Sequence, residues 1–128
     1  MTGMQLMQIR PTEQVCVDQE RLALLYTQLG EVGAEDVLCR AMEELALRLS
    51  HCKRLHEGQD RAGLRKSVHR LIAIADQIGM ALVARVAADV MVCIDDGDDI
   101  ATAATLSRLI RNGERSLTAI WDLPEITI

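Results

Sequence analysis

Residues 64–94 read LRKSVHRLIAIADQIGMALVARVAADVMVCI, and the spacing of their apolar positions decides the fold. Leu64, Val68, Leu71, Ala75 and Ile78 recur at three- and four-residue steps, the period of one helix face. Gly79 ends or bends that helix, and a second stripe of Val83, Val86, Ala87, Val90 and Ile94 follows with almost no loop. Period-two alternation, the signature of a half-buried strand, is absent from the chain.

Working outward, the same period continues on both sides. Asp18, a good N-cap residue, opens a short helix to Gln28 carrying Leu22, Leu25 and Leu29, which Gly30 stops. Gly33, Glu35 and Asp36 open a long second helix with the stripe Leu38, Met42, Leu45, Leu49 and Cys52. Asp36–Arg40 and Glu44–Arg48 are acid-before-base pairs on its outer side. After a turn at Glu57-Gly58-Gln59-Asp60, Asp60 caps the third helix. Downstream of the fourth, the acidic turn Asp95–Asp99 leads to a last helix capped by Asp99, with Leu106, Leu109, Ile110, Leu117 and Ile120 inward. Gly113 lies on that stripe, where a missing side chain lets a neighbouring helix approach closely. The expected fold is all-α, an antiparallel four-helix bundle with a short additional N-terminal helix. Residues 1–17 read as an irregular arm, 18–123 as the bundle and 124–128 as a tail.

Composition agrees and excludes several function classes. At 128 residues the chain is one domain, long enough for a core without metal or disulfide staples. With 49% hydrophobic and 26% charged residues it has the balance of a folded protein. It has no Phe, so the core is aliphatic, and Pro11 and Pro124 leave positions 12–123 free of proline. A net charge of −5 and a pI near 5.1 argue against nucleic acid as a partner. The most apolar region, Leu71–Ile94, is broken by Asp76, Gln77, Arg85 and Asp89, so no membrane span is expected. Cys16, Cys39, Cys52 and Cys93 form no C-x-x-C pair and read as buried thiols in a reducing, cytoplasmic compartment.

Three histidines are the side chains poised to change charge near neutral pH. Cys52 and His56 stand at i,i+4, but no further Cys or His pair completes a metal set, so His51 and His56 read as solvated or capping groups. The acidic run lacks the spaced ligands of a calcium loop, so no metal is expected there either. His69 differs in its phase: at about 100° per residue it lies roughly 140° from the centre of its helix's apolar stripe. It projects outward from the middle of a long helix, with Arg65 and Lys66 beside it and Arg70 next in sequence. Lys53, Arg54 and Arg61 extend this basic zone within an acidic chain.

The segment His69-Arg70-Leu71-Ile72-Ala73-Ile74-Ala75-Asp76-Gln77-Ile78-Gly79 resembles the histidine-containing phosphotransfer (HPt) domain. His69, Leu71, Ala75 and Gly79 match that family's motif in type and spacing, and the helix order matches from about Asp18 to Trp121. The resemblance implies that His69 is the phosphoryl acceptor and that Arg65, Lys66, Ile72, Ala73, Asp76 and Gly79 surround it as a docking surface. It implies a response-regulator receiver domain or hybrid sensor kinase as partner, bringing its own acidic pocket and Mg²⁺. The chain itself would be a phosphoryl carrier that needs no cofactor. Three positions depart from the family pattern: Ile72 replaces the usual Lys, Ala73 the usual Gly, and Met91 a Gln or Glu that holds the imidazole. These changes favour a second expectation, a non-catalytic docking or scaffold bundle. The arrangement to look for is an exposed His69 beside a groove between the third and fourth helices.

Overall fold

The computed structural model describes residues 18–121; the expected arm (1–17), with Cys16, and the tail (124–128) lie outside the described residues. Four helices follow in order: α1 (Gln19–Glu57), α2 (Arg61–Gln77), α3 (Ala81–Asp95) and α4 (Asp99–Trp121). Each packs on the next, and α4 closes back onto α1. The product is an all-α four-helix bundle with short connections, and the described residues contain no strand.

Helix α1 contains both expected N-terminal helices. Gly30, at φ 77 and ψ 171, interrupts it with a backbone conformation that only glycine adopts readily. The short segment before the kink therefore stands at an angle to the long arm after it, which starts at the kink and runs through Gly33. Leu22 is buried, but Leu29 beside the kink is 48% exposed, because the chain turns there before that side chain can reach the core.

Local chemistry sets the helix starts. Asp18 Oδ1 accepts from the amides of Glu20 and Arg21 at 3.0 and 3.2 Å, and Asp60 Oδ1 from Gly63 at 2.9 Å. At α4 the cap is Asp98, whose Oδ1 accepts from Ala101 N at 3.0 Å, and not Asp99 as expected. Asp99 is instead engaged across the bundle by Arg61 at 2.7 Å.

The inward stripes of the long arm of α1, of α2 and of α3 are buried throughout, and Leu106, Leu109 and Ile120 are buried on α4. Ile110 and Leu117 are half-buried at its flanks. Among the described cysteines, Cys52 is buried and Cys39 and Cys93 are half-buried, since they sit at the edges of their stripes. Gly113 is where α4 meets α1: a Cβ there would stand 2.5 Å from Leu49 Cδ1, itself a buried side chain.

That contact generates a test. Gly113→Leu should lower the unfolding free energy in urea by about 1–3 kcal/mol through overpacking. The roughly 1 kcal/mol that Leu gains over Gly in helix propensity offsets only part of this. Leu49→Ala in the same chain should recover part of the loss; an unchanged midpoint in the single variant would count against the close α1–α4 approach.

Candidate functional site

Helix α2 is the site's frame. Leu64, Val68, Leu71, Ala75 and Ile78 are all buried, so the helix cannot rotate about its axis without exposing that stripe. His69 is thereby held exposed on the opposite side, at mid-helix.

Around His69 the helix divides into two flanks. Ala73, Lys66, Gln77 and Arg70 lie about 40–100° to one side by helix phase. Together with Ile74 and with Glu44 of α1 they line a shallow groove of about 470 Å³ that contains His69. The groove thus opens between α2 and α1, the third and second expected helices, and not toward α3. Arg65, Ile72 and Asp76 lie on the other flank. Arg65 is drawn away to α3, where its Nε and Nη2 donate to the two carboxylate oxygens of Asp95 at 2.7 and 3.2 Å. Ile72 is half-buried against the core.

The structure therefore brings part of the expected docking set together. Lys66 and Ala73 share the groove with His69, while Arg65 is tied to Asp95. Asp76 and Gly79 line a separate hollow at the end of α2, with Asp18, Arg21 and Ala81. Gly79 is buried there, and its carbonyl accepts from Asp18 N at 2.7 Å. Met91 is half-buried on α3 and does not line the groove. Sequence reasoning missed Glu44 and Gln77. Gln77 had a signal, because 69, 73 and 77 form one i,i+4 ridge. Glu44 had none beyond its pairing with Arg48, since its place beside α2 depends on how the helices pack.

Several side chains of the basic zone are engaged. Arg61 is held by Asp99, Arg65 by Asp95, and Arg54 Nη1 donates to Ser50 Oγ at 3.1 Å. Arg70 faces Glu44 at 3.7 Å, a carboxylate shared with Arg48 at 3.8 Å. Lys66 has no ion-pair partner among the described residues. The hydrogen bond from Arg65 holds the Asp95 carboxyl below its ordinary range, and the same bond raises the guanidinium.

The other titratable side chains are placed elsewhere. Cys52 Sγ donates to Ser67 Oγ at 3.4 Å inside the bundle, where burial pushes the thiol up. His56 lines a cleft of about 560 Å³ at the bundle end that also includes Leu64, Ile94, Arg61 and Asp99. His51 is half-buried. Among the described residues no three His, Cys, Asp or Glu side chains are gathered as a metal ion requires. No helix among them is long and apolar enough to cross a membrane. The groove gathers an accessible imidazole, the cations Lys66 and Arg70, the carboxylate of Glu44 and the small Ala73.

Compared with known proteins, the chain matches no family model, no curated protein and no solved structure.

The Arg65–Asp95 pair predicts a pH dependence of defined sign. A carboxyl lowered on folding contributes stability above its unfolded value, near 3.9 for Asp, and loses it as pH falls through the folded value. Asp95→Asn should therefore be less stable than the parent at neutral pH, with the difference vanishing in acid and shrinking in molar salt. Urea midpoints across pH 2–7 check it; a difference that persists in acid would remove the pair as its source.

Proposed function

We propose that this bundle is a histidine phosphotransfer protein, with His69 accepting a phosphoryl group from a receiver-domain aspartate and passing it to another. The single observation behind the reading is the exposed His69 at the middle of α2, opposite a fully buried stripe. A neutral imidazole is a good nucleophile near pH 7. Its ring nitrogen forms a bond to phosphorus as the acyl-phosphate P–O bond of the donor breaks, and the aspartate carboxylate leaves. The acceptor aspartate reverses these steps. Such transfer rests on positioning and electrostatics, which a rigid helix with an accessible groove can provide. The partner, a receiver domain or the receiver of a hybrid sensor kinase, supplies the acidic pocket and Mg²⁺. The chain is then a cytoplasmic carrier with no turnover of its own.

One observation favours a second reading. Ile72 stands half-buried where the resembling family carries Lys, so this flank of His69 offers an apolar contact in place of a cation. A bundle of that kind docks a receiver domain as scaffold or inhibitor without accepting the phosphoryl group.

Mixing the chain with phosphorylated receiver domains from the same cell separates the two. Under the first reading label appears on the chain, is lost in acid and survives in base, as a phosphoramidate does. His69→Ala abolishes it, while His51→Ala and His56→Ala leave it unchanged. Binding of a receiver without any label on the chain decides for docking alone.

A further inference from the structure

We infer that Lys66 and Arg70 hold the phosphoryl group on His69, and that Glu44 controls how readily Arg70 is released to it. The inference rests on the phosphotransfer reading and assigns the positioning residues of that site. A phosphoryl group brings close to two negative charges at neutral pH. Cations beside the ring would balance that charge, and position 72, one turn after His69, is Ile in this chain. Arg65 and Arg61, one and two turns before His69, are each engaged at 2.7 Å by an aspartate of the α3–α4 connection or its borders. Lys66 and Arg70 are the cations that line the groove with His69. Both lie on the α1 flank of His69, at about 60° and 100° by helix phase, within the groove that contains the ring. Lys66 carries no ion pair among the described residues.

Arg70 is held only loosely. Its distance of 3.7 Å to Glu44 is too long for a direct hydrogen bond, and that carboxylate also faces Arg48 at 3.8 Å. Arg70 can swing to a doubly charged group beside it while Arg48 remains to balance Glu44. Glu44 is also the carboxylate that lines the groove, so it opposes any anion entering there. Ala73, one turn after His69, leaves the space into which the group projects.

The test uses the full chain and phosphoramidate, a small anionic donor that needs no protein partner. A His69 ring nitrogen bonds to phosphorus, the donor's P–N bond breaks, and ammonia leaves with the proton released by the imidazole. Lys66→Gln/Arg70→Gln should slow acid-labile labelling by about tenfold, because the groove no longer concentrates the donor. Glu44→Gln should accelerate it, Lys66→Arg should preserve it, and Arg65→Gln should leave it unchanged. Raising salt should slow the parent but not the double variant, a difference that a merely structural role of the two cations would not produce. Circular dichroism establishes that each variant is folded, and single Lys66→Gln and Arg70→Gln chains serve if the double variant is not. Label on His69 at the parental rate in the double variant, or an equal loss in Arg65→Gln, overturns this inference alone. A parent chain that takes no label on His69 overturns it together with the phosphotransfer reading.

Discussion

Burial of one face of α2 is the interaction on which the rest of the site depends. Leu64, Val68, Leu71, Ala75 and Ile78 lose almost all contact with water, and each large apolar side chain buried this way contributes roughly 1.5–3 kcal/mol. Turning the helix by a single residue step, about 100°, would expose part of that stripe and drive charged side chains inward. The rotational setting of α2 is therefore stiff. His69 is presented to solvent because the opposite face is committed to the core, with no hydrogen bond or metal needed to aim it.

The same commitment separates charge around the ring. On the α3 flank, aspartates at the C-terminal end of α3 and the start of α4 engage Arg65 and Arg61, which cross-brace the bundle end. On the α1 flank, Glu44 meets two arginines at longer distances and Lys66 stays free of carboxylates among the described residues. Exposed pairs of this sort add little to stability. Their consequence is local: on one side of His69 the cations are held in short pairs, and on the other Arg70 is held at 3.7 Å and Lys66 is in no ion pair among the described residues. The acidic turn and the basic zone, which look like opposing features in the sequence, are thus partly one set of ion pairs.

The apolar periods exposed most of this architecture in the sequence. Five stripe positions on α2 and five on α3 were readable because helix phase is a local property, and so were the caps at Asp18 and Asp60. Gly113 was readable too, as a gap on an otherwise apolar stripe that Leu49 fills. What escaped were relations between helices. Asp98 and Asp99 are equally good caps by type, and only the pull of Arg61 from another helix decides between them. Leu29 fits its stripe, yet the Gly30 kink turns the chain before it reaches the core. Glu44 enters the groove only because α1 packs beside α2, and no spacing along either helix announces it.

Charge at long range tells little about what such a surface can accept. The chain carries a net −5, so a negatively charged partner of the kind proposed would be repelled at a distance. At physiological salt that repulsion decays over about 8 Å, which is shorter than the length of α2. At contact the balance is set by the groups within one turn of His69, where Lys66, Arg70 and Glu44 sum to a single positive charge. Ile72 puts half-buried apolar surface on the other flank, and burying it against a partner needs no charge at all. Under the two proposed readings, docking and phosphoryl transfer would draw on opposite sides of the same helix. A protein of this build can lose the chemistry of one flank while keeping the adhesion of the other, and for that reason binding alone is no evidence that His69 reacts.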